Sequence, residues 1–433
     1  LFSFIASSVM LEKWHYIKCK LGVVAPKYAS VTMSNGIFVS SLDNGSPLIK
    51  MTVAFLAGSR FETTAGVAHA LRSAGGMSTG QSSAFLTSRI LKQIGAVLSV
   101  SGDRELVYYT IDTTREGLLE AIECMANLVS NQEFKDWELT DNAMRLRYDI
   151  ASVSPQVWAM DHAHLAAFKR TLGNSLFISP SRINSINTNG LKCYAATTLS
   201  PARCSVAIVG AGLDKATMLA EKLTLSAGEE ADKSPAIYYG GLSKKDFGGD
   251  TTHVVLASRG FAAGTKQSTA LCVLAGYLNS GLQSKWGEDK SPINKVVKAE
   301  CPFASRAFNI SYSDMGLFGI AFSAFAKEAG NITLALAGFI KNLPLNAEVV
   351  ARGKNEAKRQ LFEEFDRGKN TTEKMAAIGV YCKAIGSIEE LGNDIDGVNE
   401  SNLKVALSNS IGLGFSLGAT GNTGWLPSHQ DEL

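Results

Sequence analysis

The sequence predicts an α+β protein made of two duplicated domains, each a mostly antiparallel β-sheet with helices packed on one side. Three observations lead there. At 433 residues and 45% hydrophobic content, the chain is past the size at which a single core usually divides. The order strand, helix, β-hairpin, three long helices, shorter helix and strand occurs twice along it. Between residues 226 and 249 the composition turns to Gly, Ser, Lys, Asp and Glu, as in a linker. The expected organisation is an N-terminal arm at 1–33, a first domain at 34–225, the linker at 226–249 and a second domain at 250–433.

The elements follow from local pattern. β-branched and aromatic residues on either side of Asp43-Asn44-Gly45 predict a strand pair at 37–42 and 48–56. A helix opens near residue 66, with Thr63 or Thr64 as its expected cap, and a second spans about 83–94. Strands at 97–101 and 106–112 form a hairpin around Gly102-Asp103-Arg104. Apolar residues then recur at spacings of three and four, as in Leu118, Ile122, Met125 and Val129, giving helices at 115–129, 133–151 and 156–170. A shorter helix at 189–198, a strand at 204–209 and a helix at 214–225 complete the first half. The second repeats the order: strand 252–257, helix 267–278, hairpin 303–312 and 317–325, helices 328–341, 346–365, 372–385 and 400–410, and a strand near 413–419.

Composition excludes several classes. Lys and Arg number 42 against 40 Asp and Glu, which argues against a general nucleic-acid surface. The cysteines at 19, 124, 193, 204, 272, 301 and 382 are odd in number and contain no C-x-x-C pair. Disulfide scaffolds and zinc ribbons are therefore disfavoured, and packing as small apolar side chains is expected. No run approaches the roughly 20 apolar residues of a membrane span. Residues 1–10 are apolar, and Lys13, Lys18, Lys20 and Lys27 follow with Glu12 the only acid. That order fits a transit-segment remnant or a mobile arm better than a secretory signal. Gln430-Asp431-Glu432-Leu433 looks like a retention tail, but nothing else supports secretion.

The chemistry-bearing stretch is Gly66 to Gly75. It has the frame of the inverted zinc motif H-x-x-E-H, in which two histidines one helical turn apart hold the metal and the glutamate activates water. Here His69 holds the first place, Arg72 stands at the glutamate position and Ser73 replaces the second histidine. One imidazole beside a guanidinium makes a poor zinc site, because catalytic zinc usually takes three protein ligands. His162 and His164, two apart on a helix, point to different faces and cannot chelate together. His253 has no nearby Cys or His partner. Gly210-Ala211-Gly212 lacks the spacing of a dinucleotide fingerprint.

Ala57-Gly58-Ser59-Arg60-Phe61-Glu62 followed by Gly66-Val67-Ala68-His69 resembles the start of the mitochondrial processing peptidases and their relatives, where a G-S-R-x-E loop precedes a helix reading G-x-A-H-F-L-E-H. The likeness extends over most of the chain. It includes Val24-Ala25-Pro26-Lys27, Glu133-Phe134-Lys135-Asp136-Trp137-Glu138, the run from Asn309 to Gly319 and the ending Asp431-Glu432-Leu433. It is strongest to the core-protein branch, found in ubiquinol-cytochrome c reductase, respiratory complex III.

The resemblance puts Tyr148 at the place of the third zinc ligand, a glutamate in active relatives, with Asp149 or Asp141 as other oxygen sources, and hence implies no catalytic or metal-binding residue in this chain. It further implies a non-catalytic scaffold on the matrix side of the mitochondrial inner membrane, attached to the membrane through partners. Those partners would be core protein 1, cytochrome b, cytochrome c1, the Rieske iron-sulfur protein and small subunits of a dimeric complex. The haems and the iron-sulfur cluster would belong to the partners, with no cofactor here. The runner-up is a presequence-binding, non-catalytic processing-peptidase subunit, although Asn279 to Gly287 has only two glycines where that subunit carries a glycine-rich loop. A zinc peptidase with unusual ligands is the enzyme alternative.

Overall fold

Asn35 and Gly36 both adopt left-handed angles, φ 51° and 76°, and close a two-residue turn whose twist matches that of the strands it joins. The computed structural model describes residues 30–228, 234–281, 291–297, 302–366, 368–382 and 388–429. The turn links β1 (Ser30–Ser34) to β2 (Ile37–Leu42). β1 thus lies in the stretch expected to be an arm. With β3 (Leu48–Phe55), β4 (Val97–Gly102), β5 (Val107–Thr114) and β6 (Cys204–Val209) it forms a six-stranded sheet of order β1-β2-β6-β3-β5-β4.

The second sheet contains β7 (Gly241–Asp246), β8 (Thr251–Phe261), β9 (Ala304–Ser311), β10 (Met315–Phe325) and β11 (Ser416–Gly421), in the order β7-β11-β8-β10-β9. Without β1 the two orders are the same. In each, the last strand inserts parallel to the first and antiparallel to the second. The duplication expected from element order therefore extends to strand pairing.

Two expectations need correction. β2 and β3 do not pair with each other, because β6, buried along its whole length, takes the central place between them. Residues 43–47 bridge the gap through side-chain turns, with Asp43 Oδ1 accepting from Gly45 N at 3.0 Å and Asn44 Oδ1 from Ser46 N at 3.1 Å. β7 lies inside the expected linker, where its Gly, Lys and Asp content concealed an edge strand.

The first-half helices are α1 (Val67–Ser73), α2 (Ala84–Gln93), α3 (Leu118–Ser130), α4 (Asp136–Ser152), α5 (Pro155–Phe168), α6 (Thr188–Thr198) and α7 (Leu213–Lys222). Those of the second half are α8 (Lys266–Leu278), α9 (Pro292–Val296), α10 (Ala326–Lys341), α11 (Ala347–Asp366), α12 (Gly368–Cys382), α13 (Ile388–Asp396) and α14 (Glu400–Ile411). The short α9 and α13 are additions to the expected set. Ser83, Asn187 and Thr265 cap α2, α6 and α8 through side-chain oxygens. α1 starts instead at Gly66, φ 93°, where a Cβ would press on Ile178, so neither Thr63 nor Thr64 is the cap.

One face of each sheet is covered by helices of its own half: α1, α3, α6 and α7 on the first, α8, α10 and α14 on the second. The opposite faces are exchanged. α5, from the first half, lays Ala159, Ala163 and Ala167 against Val255, Ala257 and Leu317 of the second sheet. α12, from the second half, lays Met375, Ala376 and Val380 against Ala54, Tyr108 and Ala207 of the first. Small residues permit the approach on both sides: a Cβ on Gly418 of β11 would strike the α5 backbone, and one on Gly379 of α12 would strike Ser205 and Phe38.

Among the described residues, no helix is long and apolar enough to cross a membrane. Residues 1–29, 282–290 and 430–433, which hold most of the basic arm, most of the loop set against the glycine-rich one, and the tail, lie outside the described residues.

Candidate functional site

Glu62 sets the start of α1. Its Oε2 accepts the free N–H groups of Gly66 and Ala68, at 3.1 and 3.3 Å, a carboxylate at the positive end of the helix. Burial nonetheless raises its pKa to about 7, outweighing those hydrogen bonds and the nearby Arg72.

One turn on, His69 is buried and meets the Phe177 ring edge to face at 5.6 Å. Its Nδ1 accepts the backbone N–H of Ile178 at 3.2 Å. A backbone amide can only donate, so Nδ1 is unprotonated and the proton of the neutral ring sits on Nε2. Burial, with Arg72 adding to it, depresses the histidine pKa to about 3, so the ring is neutral at physiological pH. A metal-ligating histidine shows the reverse arrangement, its second nitrogen donating to a carboxylate or carbonyl.

Ser73, on the same face, donates from Oγ to Asn142 Oδ1 of α4 at 3.0 Å. Arg72 is half-buried, with Nη2 donating to Leu176 O at 2.5 Å. Burial lowers its pKa to about 10, which still leaves it cationic. These side chains line a cavity of about 400 Å³ with Val100, Ser101 and Gly102 of β4, Arg145 and Asp149 of α4, and Leu176 and Phe177.

Tyr148 requires correction. It is 73% exposed and does not line the cavity. On α4, Asn142 and Leu146 are buried, half-buried Asp149 and exposed Arg145 lie beside them at spacings of three and four and line the cavity, and residue 148 falls just off that stripe. The structure brings His69, Arg72 and Ser73 together and puts Arg145 and Asp149 where the third ligand was expected; Asp141 is not among the lining residues. Among the described residues no group of three His, Cys, Asp or Glu converges.

A second polar constellation joins the halves. Arg60, in the loop before α1, contacts Glu105 at 2.7 Å and both carboxylate oxygens of Asp314, in the β9–β10 turn, at 2.8 and 2.7 Å. Glu105 also accepts from Ser313 Oγ at 2.6 Å and from Tyr381 Oη, at the end of α12, at 2.6 Å. Nearby, Arg104 pairs with Asp161 of α5 at 2.6 Å. His164 Nδ1 bonds Met160 O, and its Nε2 bonds Tyr312 Oη, both at 2.9 Å. Sequence reading noted Ser59-Arg60 and Ser313-Asp314 only as matching segments; charged residues flanked by glycines in both loops were the available signal. His162 and His253 bond to Ser243 and Ser323, at 2.9 and 2.7 Å. Of the described cysteines, Cys204 and Cys272 are buried, Cys124 half-buried and Cys193 exposed.

Comparison with known proteins bears on both constellations. Residues 38–179 match the family described as Insulinase (Peptidase family M16). The chain is 28% identical to mitochondrial cytochrome b-c1 complex subunit 2 of Homo sapiens, over 93% of this chain and 91% of that protein. It is 29% identical to the subunit of the same name from Cryptococcus neoformans var. grubii, over 94% of each. Mitochondrial-processing peptidase subunit alpha of Solanum tuberosum is 25% identical, over 92% of this chain and 82% of that one. Residues 38–179 thus resemble the M16 peptidases, within a chain similar over nearly its full length to subunit 2 of the cytochrome b-c1 complex.

Proposed function

We propose that this chain is a non-catalytic scaffold subunit, core protein 2, of mitochondrial complex III, the ubiquinol-cytochrome c reductase. Near full-length similarity to subunits of that name supports it. The observation that carries its non-catalytic character is the hydrogen bond from Ile178 N to His69 Nδ1. It leaves Nε2 carrying a proton where a zinc ligand would need a lone pair. The cavity otherwise presents two guanidinium groups, a serine hydroxyl already engaged by Asn142, and Asp149 as its one carboxylate, short of the three ligands catalytic zinc takes. This donor set does not fit zinc, and no metal-activated water is assigned to it.

The scaffold's task is mechanical: two sheets, each clamped by a helix from the other half, make one stiff body. Core protein 1, cytochrome b, cytochrome c1, the Rieske protein and small subunits are its proposed partners in a dimeric complex. They would hold the haems and the iron-sulfur cluster and attach the chain, peripherally and on the matrix side, to the inner membrane. Similarity to the alpha subunit of the processing peptidase is lower, and a cationic cavity suits arginine-rich presequences poorly.

The test is native electrophoresis of solubilised mitochondrial membranes with detection of this chain and of haem absorbance. Comigration with the haem-containing band is expected. Migration solely with a soluble peptidase, or stoichiometric zinc with chelator-sensitive cleavage, would overturn the proposal.

A further inference from the structure

We infer that the cavity between α1, α4 and β4 binds a carboxylate, its charge preference inverted relative to a metal site. Apart from Asp149, the polar side chains lining it can all donate. His69 turns Nδ1 to the Ile178 amide, so Nε2–H is the ring's remaining polar group on a residue that lines the cavity. Arg72 spends one hydrogen bond on Leu176 O, and among the described residues neither it nor Arg145 forms an ion pair. Asp149 is the one carboxylate in the lining, set against two cations, and Glu62 below is engaged by the α1 amides. A half-buried guanidinium with spare N–H groups is satisfied best by a planar acceptor with two oxygens, which a carboxylate supplies in matching geometry. The volume, about 400 Å³, admits a few residues of peptide or a small organic acid.

This inference rests on the reading of the cavity as one that holds no zinc, and zinc content measured on the same full-length sample separates the failure of one from that of the other. The experiment is a titration with four fluorescent or calorimetric probes at constant ionic strength: an acetylated alanine peptide with a free C-terminus, its amide, the amide with one internal glutamate, and citrate. Saturable binding of at least one carboxylate probe, with none by the neutral amide, is expected. Which probes bind distinguishes a chain terminus, an acidic side chain and a free acid as the source. Arg145→Gln, at an exposed position that leaves the fold intact, is expected to weaken binding at least tenfold, and Arg72→Gln more. Absence of binding by all three carboxylates, equal binding by the neutral amide, or affinity unchanged in Arg145→Gln would overturn the inference.

Discussion

Arg60 reaches across the junction to Asp314 with both Nη atoms, 2.8 Å to Oδ1 and 2.7 Å to Oδ2. The same guanidinium holds Glu105, whose side chain is 1% exposed. Burial alone would raise the Asp314 pKa, but the hydrogen bonds from Arg60 and Ala236 N carry it below its ordinary value. Removing the arginine strands a buried carboxylate, which is the costly way to break such a pair. Arg60→Ala is expected to cost about 3–5 kcal/mol, read as a shift of the urea midpoint. Asp314→Asn should cost less, since that side chain is 30% exposed. Equal effects would contradict the account.

The exchanged helices give a steric prediction. Gly418→Val drives a side chain into the backbone of α5 at Ala159 and Ala163, and Gly379→Ala meets Ser205 and Phe38. Each is expected to destabilise by about 1–3 kcal/mol or more. Limited proteolysis should then cut between the halves sooner than in the parent, while loss of Tm with unchanged cleavage sites would point to a purely local effect.

Glu62 predicts a pH dependence. Its folded pKa of about 7 lies above the ordinary 4.5, so between those values the folded state binds the extra proton. Stability from this group is complete below about pH 4.5 and falls as pH rises through 7, by at most about 3 kcal/mol. Glu62→Gln keeps an oxygen for the Gly66 and Ala68 amides and should remove that fall, raising Tm at pH 8 relative to parent. His69 acts in the other direction: its pKa, depressed to about 3, costs stability as pH drops below 6.5. Difference curves between variant and parent therefore isolate Glu62 where the bare profile does not.

On α4, Tyr148→Ala should change stability by no more than about 0.5 kcal/mol, as befits a residue 73% exposed. Asn142→Ala, which leaves the buried Ser73 hydroxyl without its acceptor, should cost about 1–3 kcal/mol. Thermal melts of the pair check the orientation of the helix directly.

Much of the fold was legible because its signals are local. Periodic apolar residues marked α3 to α5 within a few positions, and the hairpin turn marked β4 and β5. What stayed hidden depends on distant partners. Nothing in Gly-Leu-Ser-Lys-Lys-Asp at 241–246 reveals a strand until β11, some 170 residues later, offers a parallel edge. β6 separates β2 from β3 by the same long-range logic. The alanine-rich faces of α5 and α12 read as ordinary helices, since no periodicity says which sheet a helix will cover. At the candidate site, His69, Arg72 and Ser73 were readable from spacing along one helix. Asp149 was named as an oxygen source beside Tyr148, but that it and Arg145 rather than Tyr148 line the cavity depends on the register between two helices, which is set by packing and not by either sequence alone.

The exchange of α5 and α12 also imposes an order on biogenesis. A chain emerging from its N-terminus can form the first sheet early, but that sheet keeps Ala54, Tyr108 and Ala207 uncovered until α12 is available. Completion of the first half's packing therefore waits on nearly the entire chain. A truncation anywhere before α12 should yield an aggregation-prone fragment, however complete its own sheet.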